Sequence, residues 1–228
     1  MEKQKYAAIV LAAGSGKRMN SQVHKQYLII QDRPVLYYSL KAFEDSAVDE
    51  IVLVVGKGEE EFCRKEIVDK YGISKVKAIV EGGKERYHSV FEGLKQTSDA
   101  DYVLIHDGAR PFVNQEIIRR CMLEVPEYQA CVVGMPVKDT IKIADEEGYA
   151  KQTPDRKNVW MIQTPQTFSY ALIYEAYEEM LKTEDTAITD DAMVLERIKG
   201  KKSKLIEGSY RNIKITTPED LLIANVYL

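Results

Sequence analysis

Cysteine, histidine, tryptophan and proline are scarce in this sequence, with 3, 3, 1 and 7 copies in 228 residues. The cysteines (Cys63, Cys121 and Cys131) are odd in number, far apart and form no C-x-x-C pair. That argues against a disulfide framework and a cysteine zinc site, and for a reduced cytoplasm. The histidines (His24, His88 and His106) have no H-x-x-x-H spacing and no cysteine nearby, so no zinc site is indicated. A G-x-S-x-G elbow and a Cys/His nucleophile pattern are both missing. The apolar run Tyr6–Ala13 is too short to span a membrane and lacks a signal-peptide cleavage region. Neither charge dominates: 32 basic and 36 acidic side chains give a net −4, which disfavours a general nucleic-acid binder. With 13 Gly, 7 Pro and 45% hydrophobic residues, the composition is not that of a disordered chain.

What is present is an alternation. Tyr6–Ala12, Ile51–Val55, Val76–Val80, Tyr102–His106 and Ala130–Met135 are β-branched and nearly continuous in apolar character, as expected of strands covered on both faces. Amphipathic segments over 34–44, 59–71, 85–96 and 114–124 separate them. This rhythm predicts an α/β fold, a Rossmann-like doubly wound, mostly parallel sheet with ligands at the strands' C-terminal ends. After Met135 the rhythm changes. Val137–Ile143 and Val159–Ile162 read as strands around a polar stretch, which predicts a β-arm at about 136–162 projecting from one domain spanning 1–228. Helices are expected again near 169–182 and 189–198. Thr217-Pro-Glu-Asp220 supplies an N-cap, a proline at the first helical position and an acid at the third, opening a last helix.

Four segments carry chemistry. Leu11-Ala-Ala-Gly-Ser-Gly-Lys-Arg-Met19 follows the first strand, and its small residues let backbone N–H groups approach a polyphosphate. Lys17, Arg18 and Lys25 fall in an acid-free stretch. The segment is neither a Walker A loop, since Leu11 replaces the first glycine and Arg18 follows the lysine, nor a dinucleotide fingerprint, since Met19 replaces the third glycine. Glu81-Gly-Gly-Lys-Glu-Arg-Tyr-His-Ser89 is a second turn after a strand, fit to clamp a base or phosphate or to be a simple tight turn. In Ile105-His-Asp-Gly-Ala-Arg-Pro-Phe112, Asp107 ends a central strand, where it could hold Mg²⁺ or close a turn with Arg110. His106 reads as a packed residue rather than a base. The fourth set is Asp139-Thr140, Arg156, Gln163–Gln166, Thr189–Asp191 and Asn212–Thr216, polar groups on otherwise apolar elements. Here Thr189-Asp190 could be only a helix cap, and Lys214 only an outward strand lysine.

Taken in order, the A-A-G-x-G-x-R-M loop with K-Q-Y, G-G-x-x-R-x-x-S-V, H-D-G-A-R-P-F, P-V-K-D-T-I-K, Q-T-P-Q-x-F, T-D-D-A and N-I-K-I-T-T-P-E-D-L resemble the 2-C-methyl-D-erythritol 4-phosphate cytidylyltransferases of the non-mevalonate isoprenoid pathway. The matches run from residue 7 to 222. The resemblance implies a nucleotidyltransferase fold and cytidylyl transfer from CTP to a sugar phosphate, with Mg²⁺ and release of pyrophosphate. By position, Ala12, Ala13, Gly14 and Ser15 would line the CTP site, with Gly83, Arg86 and Ser89 near the base. Arg18 and Lys25 would bind the triphosphate and stabilise the transition state. Asp107 would approach metal and nucleotide. Arg110, Thr189 and Lys214 would face the sugar phosphate, with Lys214 also counted among the catalytic cations. Thr140 and Arg156 would enter from the arm of a homodimer partner. Ribitol 5-phosphate is the alternative acceptor, and neither nucleic acid nor membrane is an expected partner.

Overall fold

The structure is a computed structural model that describes residues 3–14, 24–183 and 187–228. Ser15, Lys17 and Arg18 lie outside the described residues. The strands are β1 (Tyr6–Ala12), β2 (Ile29–Ile30), β3 (Arg33–Pro34), β4 (Glu50–Val55), β5 (Val76–Glu81), β6 (Tyr102–Asp107), β7 (Ala130–Pro136), β8 (Ile143–Ala144), β9 (Ala150–Gln152), β10 (Trp160–Ser169) and β11 (Lys204–Glu207). The helices are α1 (Val35–Glu44), α2 (Glu60–Cys63), α3 (Arg86–Leu94), α4 (Gln115–Tyr128), α5 (Tyr170–Met180), α6 (Asp191–Lys199) and α7 (Pro218–Tyr227).

Seven strands form one sheet in the order β11-β7-β10-β6-β1-β4-β5. Neighbours are parallel except β10, which runs antiparallel to both β6 and β7. Side chains alternate across a strand, so β1 sends Ala8 and Val10 into one core with Leu36, Leu40, Phe43 and Ile117. Ala7 and Ile9 enter the opposite core with Val90, Leu94, Phe168, Ile173 and Tyr177. Burial on both faces explains the continuous apolar runs seen in the sequence.

Two expectations are corrected. Val137–Ile143 is not a strand: the Val137 N–H reaches the Val159 carbonyl at 3.0 Å, but beyond it only Ile143–Ala144 pairs, with β9, and residues 138–153 are all exposed. An apolar-polar alternation there has no neighbouring strand in this chain to pair with. The strand expected at Val159–Ile162 instead continues to Ser169, with a register shift between Ile162 and Gln166 and a cis Thr164–Pro165 peptide bond. Polar residues hid its second half from pattern reading. The amphipathic segment over 59–71 is helical as expected, formed by α2 and a π-helical continuation, Arg64–Asp69. The final helix begins as expected, with Asp220 accepting from the Thr217 N–H at 2.9 Å and the Thr216 N–H at 2.8 Å.

Candidate active site

The parallel strands β1, β4, β5 and β6 end at one edge, and the middle of β10, at Thr164, lies beside the end of β6, so the polar segments converge there. A cleft of about 360 Å³ is lined by Leu11–Gly14, Lys25, Gln26, Gly83–Arg86, Ser89, Asp107, Ala109 and Lys214. A second, of about 250 Å³, is lined by Arg86, Asp107, Arg110, Ile162–Thr164, Gln166, Thr189, Asp190 and Lys214. The two share Arg86, Asp107 and Lys214 as a common wall.

The first cleft depends on close backbone packing. A β-carbon on Gly82 would sit 2.5 Å from the Ala13 Cβ and 2.7 Å from Ser89 Oγ, so a side chain there would force the turn off the β1 loop. Ser89 stabilises that turn, its Oγ accepting from the Gly83 N–H at 3.1 Å. Across the cleft, buried Gln26 donates from Nε2 to the Ala12 carbonyl at 2.5 Å, tying the Lys25–Tyr27 turn to the end of β1. Beyond it, Glu59 takes the Tyr27 hydroxyl at 2.7 Å and lies 2.7 Å from His24 Nδ1.

Asp107 is the charged centre of the wall. Its carboxylate lies 2.7 Å from Lys214 Nζ, 3.3 Å from Arg86 Nε and 3.9 Å from Arg110 Nε. Burial pushes its pKa up, but the charges of Arg86, Lys214 and Arg110 outweigh that and hold it well below the usual carboxylate range. Arg86 is partly buried. Burial disfavours its charge, yet Asp191 and Asp107 raise its pKa well above the ordinary guanidinium value. Arg110 donates from Nη1 to the Asn212 carbonyl at 2.7 Å, while its buried Nε has no hydrogen-bond partner. Desolvation lowers its pKa. His106, fully buried, contacts Thr164 Oγ1 at 3.0 Å and the Arg110 carbonyl at 3.2 Å, and burial lowers its pKa to about 4. A neutral imidazole enclosed in this way is a packed residue, as its sequence position suggested.

The structure thus gathers Ala12, Ala13, Gly14, Lys25, Gly83, Arg86, Ser89 and Asp107 around one cleft, and Arg110, Thr189 and Lys214 around the other. Lys214 is not an outward strand lysine. Its neighbour Ile215 donates to the Ala109 carbonyl at 2.8 Å, and the lysine turns onto Asp107. Thr140 and Arg156 are not brought to either cleft: both are exposed on the arm, where Arg156 Nη1 donates to the Lys138 carbonyl at 2.8 Å. The α6 cap is Asp190, whose carboxylate accepts from the Met193 N–H at 2.9 Å, which leaves Thr189 to line the second cleft.

Several supporting residues escaped individual assignment from sequence. Buried Gln166 accepts from the Asp191 and Ala192 N–H groups at 3.0 Å each. Buried Asn212 donates to Gln163 Oε1 at 3.2 Å and to the Thr164 carbonyl at 2.9 Å. Asp191 grips Arg86, and Tyr177 grips Asp191. The available signal was polar residues inside otherwise apolar segments.

Over nearly its whole length the chain is similar to known proteins. The sequence profile described as IspD, 2-C-methyl-D-erythritol 4-phosphate cytidylyltransferase, matches residues 6–228. A protein of that name from Lachnospira eligens is 54% identical over 223 residues, covering 97% of this chain and 98% of the relative. Another, from Lachnoclostridium phytofermentans, is 51% identical over 225 residues, covering 99% and 97%. The crystal structure of 4-diphosphocytidyl-2C-methyl-D-erythritol synthase from Anaerococcus prevotii superposes with a TM-score of 0.86 at 38% identity, covering 98% of this chain and 96% of that one. By sequence over nearly its whole length, and by fold, the chain belongs to the 2-C-methyl-D-erythritol 4-phosphate cytidylyltransferase family.

Proposed function

We propose that this enzyme transfers the cytidylyl group of CTP to the phosphate of 2-C-methyl-D-erythritol 4-phosphate, giving 4-diphosphocytidyl-2-C-methyl-D-erythritol and pyrophosphate. The observation that carries this reading is the pair of clefts divided by Arg86, Asp107 and Lys214, one for each reactant. In the cleft beside Ala12–Gly14, Gly83 and Ser89 the nucleotide lies with its phosphates toward Lys25, and Arg18 serves the same phosphates. In the other, the acceptor phosphate meets Arg110, Thr189 and Lys214. The unpartnered Nε of Arg110 is a buried donor suited to such an anion.

The acceptor is already an anion at neutral pH, so no strong base is needed. One of its phosphate oxygens bonds to the α-phosphorus as the bond from that phosphorus to the bridging oxygen breaks, and pyrophosphate leaves with the electron pair. The barrier is the approach of two anions in line and the charge that gathers on the phosphoryl oxygens. Lys25 and Lys214 lower it as cations already placed on the cleft walls, and Arg18 adds its charge to theirs.

Among the described residues no three His, Cys, Asp or Glu side chains come together as a closed metal site. A lone carboxylate fits Mg²⁺ nonetheless, since that ion commonly takes one or two protein oxygens and completes its shell with phosphates and water. Asp107, ionised and on the cleft wall, is the residue that would hold it. When bound, Mg²⁺ neutralises phosphate charge.

Homodimerisation through the arm is part of the reading. Ile141, Ile143, Tyr149, Met161 and Ile162 are exposed apolar residues on or beside it, and Thr140 and Arg156 would complete the partner's second cleft. The buried free cysteines suit a reducing cytoplasm, and no helix among the described residues is long and apolar enough to cross a membrane.

The deciding experiment is pyrophosphate release from CTP with methylerythritol phosphate and, separately, ribitol 5-phosphate. Turnover with the first acceptor is expected to exceed that with the second by more than tenfold. The reverse order overturns the substrate assignment, and equal rates with GTP or UTP overturn the choice of base.

A further inference from the structure

The reaction as described makes no use of Asp191, yet no part of its side chain is exposed. It lines neither cleft, so it meets no substrate or ion directly. Its carboxylate accepts from Arg86 Nη1 at 2.7 Å and Nη2 at 2.8 Å, and from the Tyr177 hydroxyl at 2.6 Å. As the first residue of α6, with its own N–H held by Gln166, it sits where a helix N-terminus favours negative charge.

A guanidinium has a fixed planar fork, and a bidentate carboxylate sets its plane. With both Nη groups on Asp191, Arg86 presents only Nε to Asp107, at 3.3 Å. That leaves Asp107 Oδ2 to Lys214 at 2.7 Å. Without the Asp191 charge, Asp107 is the remaining carboxylate beside Arg86. The fork would turn onto it, displace Lys214 and cover the oxygens that face the nucleotide.

We infer that Asp191 is a positioning residue for the reaction: it draws the fork of Arg86 away from Asp107 and so keeps Lys214 and Asp107 in register on the wall between the two reactants. The inference rests on the cytidylyl-transfer reading for its kinetic consequences, and on geometry alone for the tether itself.

The test compares wild type with Asp191→Asn, Arg86→Lys, the double variant and Tyr177→Phe. Asp191→Asn is expected to lower kcat by about ten- to a hundredfold, the usual range for a supporting partner of a charged site, with KM for CTP within about threefold. In the Arg86→Lys background, which has no fork to hold, the same substitution should change kcat by less than about threefold. Wild-type kcat in Asp191→Asn, or losses that multiply in the double variant, would overturn the inference. If Asp191→Asn does not fold, Tyr177→Phe replaces it, with an expected kcat loss of about three- to tenfold, and wild-type turnover there overturns the inference. A purely structural role would move the melting temperature without this coupling. A wild-type enzyme that releases no pyrophosphate refutes the functional reading instead. In that event ¹⁵N NMR of the protein without ligand decides the tether: restrained Arg86 Nη–H signals, assigned by their loss in Arg86→Lys, should vanish in Asp191→Asn, and their persistence overturns it.

Discussion

The wall between the clefts and the projecting arm are opposite solutions to holding a functional side chain. On the wall, Arg86, Asp107, Arg110 and Lys214 pair with one another, and buried Gln163, Gln166, Asp191 and Asn212 support them. On the arm, residues 138–153 are all exposed, and the small β8–β9 ladder is the only strand pairing among them. Burial of Asp107 and Asp191 fixes their partners, because a charge taken out of water must be matched at close distance. Exposure leaves the arm's residues with partners only on the arm itself, such as the Lys138 carbonyl that Arg156 holds. The contrast teaches that one chain suffices to preorganise the wall, whereas Thr140 and Arg156 lie away from both clefts of their own chain, and the proposed role for them is in a partner's site.

The largest expected effect tests the cleft side. Lys25→Ala should lower pyrophosphate release by about 10²–10³, as loss of one preorganised transition-state cation does, with a melting temperature within a few degrees of wild type. Turnover near wild type would remove Lys25 from the mechanism.

The next concerns stability and sharpens the view of the wall as buried. His106 has its folded pKa depressed to about 4 from the ordinary 6.5. Between those values the unfolded chain binds the proton and the folded chain does not. The contribution is therefore fully present above pH 6.5 and lost as pH falls to 4, about 3 kcal/mol in all. Asp107, also depressed, has its contribution intact above the ordinary carboxylate pKa and loses it at lower pH. Urea titrations of wild type and His106→Gln across pH 4–6.5 should differ in slope, and parallel curves would show that the imidazole is not held neutral.

The arm is tested by complementation. Arg156→Ala alone should reduce turnover by about tenfold or more without loss of stability. Mixed and refolded with Lys25→Ala, it should recover up to about a quarter of wild-type activity, because half the dimers are hybrids with one intact site of two. No recovery on mixing would break the distinction between the two regions.

The smallest effect lies at the edge of the wall. Asp220 accepts from Thr216 Oγ1 at 2.7 Å as well as from two backbone N–H groups at the start of α7. Asp220→Ala should cost about 1 kcal/mol, typical of a helix cap. Turnover should change by less than threefold, because Lys214 is anchored upstream through Ile215 and Ala109. A larger kinetic loss would show that Lys214 depends on that helix.

Much of the cleft is legible in the sequence. The Ala12–Gly14 turn, Gly83 and Asp107 each close an apolar strand, so strand periodicity alone puts them at one edge. The second half of β10 is not legible, because Gln163, Thr164 and Gln166 look like surface residues unless their partners are known. Asn212, 49 residues from Gln163 and 48 from Thr164, gives no local hint of burial. On the arm, the apolar residues near Ile143 suggest a longer strand than forms, since pairing depends on a neighbour that local sequence does not supply.

By itself, the sequence determined the alternation of strands and helices, the glycine turns, the α7 cap and the acid-free stretch around Lys17, Arg18 and Lys25, because these follow from local backbone preference and side-chain periodicity. Only the tertiary structure decided that Arg86 reaches Asp191 across 105 residues, that Lys214 turns onto Asp107, and that β10 runs antiparallel between β6 and β7. The physical reason is that buried polar groups are stabilised by particular partners rather than by a pattern, and partners distant in sequence meet only when the sheet is assembled.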